Sequence, residues 1–333
     1  MRLSVVFSSF VVVLLSFAVS GTLFAQYRSA YPDIPIVDVH IHASGVDDMV
    51  RYMEIRESIK ERTGANLAFW VSLNDPGGSA ADMRAAAGNR ILFATNQRPH
   101  RGWTTTPEAV ISKVKNDGFV GMKLWFGPHY RVLREGEEGI TRIDDPRLAS
   151  FFAALDRENI LMASLHIADP NGPFADRQNW LKDPVYFWEQ IRSFENIVAK
   201  YPNITFVAAH NAWLFCQDAQ VDYLRYMFST YPNLYADTSA TLSYARLLDR
   251  DNVRDFYIEY QDRLLYGTDF LRITSMSVDA AVNMHISTFR YYETDQNVYG
   301  ARGLELPREV LEKLYFKNAL KLYPGLKEAL ILD

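Results

Sequence analysis

The feature that most restricts the fold of this chain is a repeated alternation of short apolar, β-rich runs with longer amphipathic stretches. The runs are Ile34–His42, Leu67–Leu73, Ile91–Thr95, Phe119–Phe126, Ile160–His166, Ile204–His210, Leu234–Ala236 and Leu264–Gly267. The stretches between them read as helices with recognisable ends. Asp47–Arg62 stops at Gly64, and Pro107–Lys115 starts behind Thr106, an N-cap followed by proline at the first helical position. Pro146–Arg157, Pro184–Lys200, Val221–Tyr231 and Val253–Gln261 follow the same logic. Near-continuously apolar strands, each followed by a helix, specify a parallel sheet covered on both faces. Eight such units predict an α/β fold of the (β/α)8 TIM-barrel type rather than an open sheet. A chain of 333 residues with 48% hydrophobic content can bury one such core, so a single barrel domain over residues 26–333 is expected.

Residues 1–25 stand apart. Arg2 gives a short positive start, Val5 to Val19 form an apolar run broken only by serines, and small residues follow at Ala18, Ser20, Gly21 and Ala25. That layout is a secretory signal peptide cut after Ser20 or Ala25, predicting a periplasmic or secreted protein with no membrane insertion once the leader is removed. The alternative is an uncleaved membrane anchor. The net charge of −5, without a basic cluster, argues against a nucleic-acid partner. A lone cysteine, Cys216, excludes an intrachain disulfide, and its neighbours Trp213 and Phe215 point to a plain buried thiol. Two stretches depart from the alternation. Asp169–Asp183, rich in Asp, Asn, Pro and Gly, reads as a lid or substrate wall after the strand that carries His166. From Pro307 onward, Val310, Leu311, Leu314, Tyr315 and Leu320 recur at helical spacing, as in a helix closing the outer layer.

The polar residues at the strand ends carry the chemistry. In Val37-Asp38-Val39-His40-Ile41-His42, residues two apart share a face, so Asp38, His40 and His42 point inward while Val37, Val39 and Ile41 pack on the helices. Two imidazoles so spaced can ligate one cation, with Asp38 behind them as an outer partner. His166 and His210 close two further apolar runs, and Asp269 follows another in Tyr266-Gly267-Thr268-Asp269. Singly, each histidine is as well explained by core hydrogen bonding and the aspartate by helix capping. Together they read as a metal centre, because a buried carboxylate is costly unless it is paired or metal-bound. Lys123, in Gly121-Met122-Lys123-Leu124-Trp125, points inward with Gly121 and Trp125. Three roles stay open for it: a carbamate bridging two metals, a cation holding an anionic substrate, or a partner for Asp38 or another carboxylate. His100, His129 and His285 fall outside the strand pattern and read as surface or loop residues, with His129 near enough to the fourth strand to touch substrate.

These residues resemble the amidohydrolase superfamily, in particular its amidohydrolase-related branch (amidohydrolase 2), over about Ile36 to Pro324. The shared elements are D-x-H-x-H at the first strand, G-x-K-x-W at the fourth, the strand-end histidines, G-T-D at the eighth, and the tail from Leu306-Pro307 through Asn318-Ala319 to Leu322-Tyr323-Pro324. The resemblance implies a metal held by His40, His42, His166 and Asp269, with His210 as a further histidine of the site. In mononuclear relatives, His210 is a base or orienter. In binuclear ones, His166 and His210 hold a second metal and a carbamylated Lys123 bridges the pair.

The resulting expectation is a metal-dependent hydrolase that cleaves an amide, ester or lactone of a small molecule. It would use one divalent cation, expected to be zinc, or two if Lys123 is carbamylated. Asp269 would shuttle the proton, with His210 and Lys123 as further catalytic groups, and Trp125 and Arg142 would contact substrate. Two alternatives remain: a decarboxylase or hydratase acting on a carboxylic acid, and a non-enzymatic exported metal- or ligand-binding barrel whose coordination sphere is closed by protein. Self-association into a homo-oligomer is compatible with the sequence.

Overall fold

The structure is a computed structural model, describing residues 27–97, 105–127, 140–170 and 184–330. The leader over 1–25, His100, His129 and most of the Asp169–Asp183 stretch lie outside the described residues.

All eight apolar runs form parallel strands: β1 (Pro35–Ile41), β2 (Asn66–Ser72), β3 (Ile91–Phe93) with β4 (Thr95–Gln97), β5 (Met122–Trp125), β6 (Met162–His166), β7 (Phe206–Ala208), β8 (Leu234–Asp237) and β9 (Leu264–Leu265). The third run bends at Ala94, so β3 pairs with β2 while β4 pairs with β5, and the order continues without a crossover to β9. Across the bend, the Ala94 N–H donates to Ser72 O (2.8 Å) and the Val120 N–H to Phe93 O (2.9 Å). The last run meets the first: Val39 N–H donates to Tyr266 O (3.0 Å), Asp269 N–H to His40 O (2.8 Å) and His42 N–H to Phe270 O (3.2 Å).

The helices begin and end largely where the sequence signals them. Helix α1 (Val46–Thr63) stops at Gly64, whose φ of 77° needs the freedom of glycine. Helix α2 (Pro107–Asn116) starts behind Thr106, whose hydroxyl accepts from the Ala109 N–H (3.2 Å). Further along lie α3 (Ala149–Arg157), α4 (Pro184–Lys200), α5 (Asp218–Thr230) and α6 (Arg250–Glu259). The sequence reading missed α7 (Val278–Glu293), although Ser277 caps it by accepting from Ala280 N–H (3.2 Å). Buried residues run around much of α7, including His285, Phe289, Tyr291 and Tyr292, so it carries no clean apolar stripe. Among the described residues, no helix is long and apolar enough to cross a membrane.

Two apolar clusters pack this sheet. The larger joins the outer strand faces to the helices. The smaller takes at least one residue from each of the eight runs, among them Val37, Val71, Ala94, Val120, Ala163, Val207, Tyr235 and Leu265, together with Ala319, Tyr323 and Leu326. Here β1 departs from expectation. Ile41 packs in the helix-facing cluster, but Val37 and Val39 join the smaller one. The register of β1 against β2 shifts between Ile36 and Val37 and again between Asp38 and Ile41, so strict two-residue alternation does not hold along it. The tail is helical as expected. It ties to the strands through Leu314 O, which accepts from Tyr266 N–H (2.9 Å), and through Tyr323 OH, which donates to Ala163 O (3.1 Å).

Candidate metal centre

The strand ends bring His40, His42, His166, His210, Lys123 and Asp269 into one cluster. His40 Nε2 and His42 Nε2 each lie 3.2 Å from Asp269 Oδ1, and His210 Nε2 lies 3.8 Å from Asp269 Oδ2. His210 Nε2 is also 3.1 Å from His166 Nδ1, and Lys123 Nζ is 3.5 Å from His40 Nε2 while donating to Ser164 Oγ (2.9 Å). Trp125, at the end of β5, sets its ring 5.6 Å from that of His166.

The other ring nitrogens fix the tautomers. His40 Nδ1 faces Asp237 Oδ2 (2.9 Å), His42 Nδ1 faces Asn74 Oδ1 (3.0 Å), His210 Nδ1 faces the Ser239 carbonyl (3.0 Å) and His166 Nε2 faces Asp169 Oδ1 (3.3 Å). Each of these partners accepts, so each of those nitrogens donates, and the opposite nitrogen turns a lone pair toward the centre. The centre is therefore lined by acceptors that face one another: two imidazoles against Asp269 Oδ1, and His166 against His210. Such an arrangement is repulsive unless a cation lies between. Donors ~2.0–2.1 Å from a tetrahedral ion stand ~3.3 Å apart, close to the separations found here. His40, His210 and Asp269 bring their donor atoms within 4.8 Å of one another, so the residues present fit a divalent metal.

Asp237 and Asp269 make the His40 position attractive to a cation, whether a proton or a metal ion. Burial and the Lys123 ammonium oppose protonation of His40, yet Asp237 and Asp269 outweigh them and its pKa is raised. Burial alone would lift the Asp269 carboxyl, but His40 and His210 hold it well below the usual carboxylate range. Burial likewise opposes ionisation of Asp237, and the facing His40 overcomes it and lowers the pKa. Burial pushes His166 and His210 down to about 3, leaving neutral imidazoles suited to ligation. Asp38 is pushed up to about 7 by burial, although it accepts from the backbone of His40 and from Thr268 N–H and Oγ1. It braces the strand ends, as an outer partner would.

The local backbone is unusual where the site needs it. His210, Asn211, Ala212 and Trp213 all have left-handed φ (59°, 51°, 53°, 57°), and Asp269 has φ 62°. Left-handed geometry costs about 1–2 kcal/mol per non-glycine residue, so such a run persists only where its surroundings over-determine it. Asp237 Oδ1 accepts from the His210 N–H (3.2 Å) and the Ser239 N–H (3.1 Å), anchoring the turn. The turn also sets the Trp213 ring 4.5 Å from that of His210. Gly267 leaves room for His40, whose Cβ would lie 2.9 Å from any Cβ placed there.

Arg142 is not brought to this cluster. Its guanidinium is engaged by Asp144 through two hydrogen bonds (2.9 and 2.6 Å), because a carboxylate two residues on captures the fork locally. His285 is not a surface residue: it is 1% exposed, within α7, with Nδ1 2.7 Å from Tyr266 OH. Cys216 is buried, as expected. The sequence reading missed Asp237, Ser239, Asn74 and Trp213. Asp237 carried the same signal as Asp269, an aspartate directly after an apolar run. Nothing local marked Asn74 or Trp213.

A parallel α/β fold with histidines and an aspartate gathered at its strand ends defines the class, and similarity to known proteins agrees with it. The amidohydrolase family profile matches residues 37–325, and the chain belongs to that family. No curated protein matches the sequence. An uncharacterised TIM-barrel protein from Bordetella bronchiseptica shares the fold, with a TM-score of 0.51 at 14% identity over 89% of this chain and 99% of that one. Weaker likenesses include a 2,6-dihydroxybenzoate decarboxylase from Rhizobium (TM-score 0.48, 16% identity, 89% of this chain and 98% of that one). Another is an amidohydrolase from Burkholderia multivorans with bound zinc (TM-score 0.46, 13% identity, 86% and 98%).

Proposed function

We propose that this protein is an exported metal-dependent hydrolase, its eight strand runs closed into a (β/α)8 barrel around one divalent cation, with zinc as the expected ion. The closure rests on the hydrogen bonds between the first and last runs and on the cluster that draws from all eight. The metal rests on one observation: the lone pairs of His40 and His42 converge on Asp269 Oδ1 with only 3.2 Å between acceptors. His40, His210 and Asp269 would hold the cation, with His42 and His166 as further candidate ligands around it. A divalent ion there supplies Lewis acidity toward a substrate carbonyl. Asp269 divides its oxygens: Oδ1 faces His40 and His42, while Oδ2, toward His210, is placed to take a proton from the attacking water and return it to the leaving group. Trp125 forms one wall for an amide, ester or lactone substrate. Lys123 favours an anionic group on that substrate, since its ammonium is buried 3.5 Å from His40 Nε2.

The test is metal analysis of the purified protein. One ion per chain, falling to near zero in His40→Ala with His42→Ala, is the expected result; unchanged content would remove the site from β1. Two ions with a carbamylated Lys123 would replace the single-metal form by a bridged one. A buried Lys123 beside His40 also favours a second reading, decarboxylation of a carboxylic acid. Release of carbon dioxide from a carboxylate panel, without hydrolysis of amides, esters or lactones, would select it. Export rests on the leader over residues 1–25, and amino-terminal sequencing of protein recovered outside the cytoplasm after Ser20 or Ala25 would establish it.

A further inference from the structure

We infer that the protein carries a second small-molecule site, for an apolar monocarboxylate, in the cleft between α7 and the loops that follow β8 and β9. The cleft has a volume of about 340 Å³ and is walled by Leu242, Arg246, Phe270, Met284, Ser287 and Tyr299. None of His40, His42, His166, His210 or Asp269 lines it. Asp237 and Ser239, at the end of β8 and in the turn after it, face His40 and His210, whereas Thr238 and Ala240 of the same segment line the cleft. This site is therefore separate from the metal centre and lies on the back of the same strand ends.

Its chemistry selects the ligand. Arg246 is half-buried, donates once to the Tyr299 carbonyl (2.8 Å) and pairs with no carboxylate among the described residues, leaving fork donors for an anion. Ser287 Oγ donates to Asn283 O (2.7 Å) and lies 2.9 Å from Tyr299 OH, so this polar pair is satisfied and Arg246 alone offers donors to an anion. Leu242, Phe270 and Met284 supply the apolar remainder. Met284 and Tyr299 stay 46% and 55% exposed, so the rim is open to solvent and their burial by a ligand is favourable. The volume suits a ring or short alkyl chain bearing one carboxylate, and lies near the low end of small-molecule pockets.

The cleft also has a route to the metal centre. Thr268, on its wall, donates from N–H and Oγ1 to Asp38, and Gly267 packs against His40. Calorimetric titration of the full chain with benzoate and with 3-phenylpropionate tests the assignment, with benzamide as the uncharged control. One saturable site per chain is expected, weakened about tenfold or more by Arg246→Gln, abolished by the cleft-filling Met284→Trp, and retained in His40→Ala with His42→Ala. Absence of saturable binding would overturn the assignment, as would equal affinity for benzamide. Binding that survives Arg246→Gln and Met284→Trp but is lost with the β1 histidines would overturn it too, by moving the ligand to the metal centre. Because the cleft is read out by binding, its failure is distinct from failure of the proposed hydrolysis.

Discussion

Replacing Asp237 by asparagine isolates the tautomer argument on which the metal assignment rests. In the native protein Asp237 Oδ1 accepts from the N–H groups of His210 and Ser239, which would hold an amide with its oxygen in that position. The amide nitrogen would then occupy the place of Oδ2, 2.9 Å from His40 Nδ1. Two donors would face each other there, weakening the hold that keeps the proton on Nδ1 and the lone pair of Nε2 aimed at the centre. Loss of such a partner typically lowers metal affinity by about 10–100-fold, or about 1.4–2.7 kcal/mol. Size and packing hardly change, so circular dichroism should show a native fold while zinc competition against a calibrated chelator reports the drop. An Asp237→Asn protein that holds metal as tightly as the native chain would refute the reasoning, because the Nδ1 partner would then have no hold on Nε2.

Two further substitutions separate chemistry from folding. Asp269→Asn should fold and bind some metal yet lose about 10²–10⁴-fold in turnover on any substrate found, and near-native turnover would discard its proton-transfer role. His285 is buried in α7 against Tyr266 and Phe270, and burial lowers its pKa from 6.5 to about 3. The unfolded chain therefore binds a proton that the folded chain refuses, so stability contributed by this group is lost as pH falls from about 6.5 toward 3. His285→Gln should flatten the acid side of the melting-temperature profile, by on the order of a few kcal/mol at the lowest pH. An unchanged acid limb would show that His285 does not titrate in this range.

Much of the architecture was legible without coordinates, because near-continuous apolar runs and capped amphipathic stretches are local signals. Thr106 before Pro107 and Gly64 after α1 mark their helix ends through backbone chemistry that operates within a few residues. Strand-end polarity marked His40, His42, His166, His210, Lys123 and Asp269 for the same reason. Helix α7 escaped because it is buried on many sides, which erases the periodicity that reveals a surface helix.

What residue order alone establishes here is the set of side chains available at the strand ends, since a strand's termination and the polarity of its last residue are encoded within a few positions. Which nitrogen of each imidazole faces the centre is settled by Asp237, Asn74, Ser239 and Asp169, and all but Asp169 lie more than twenty residues from the histidines they hold. Folding also determined that Lys123 Nζ reaches Ser164 Oγ and lies 3.5 Å from His40 Nε2. Hydrogen-bond direction and ring placement depend on distances between separate segments, and such distances exist only once the sheet has brought its strand ends together.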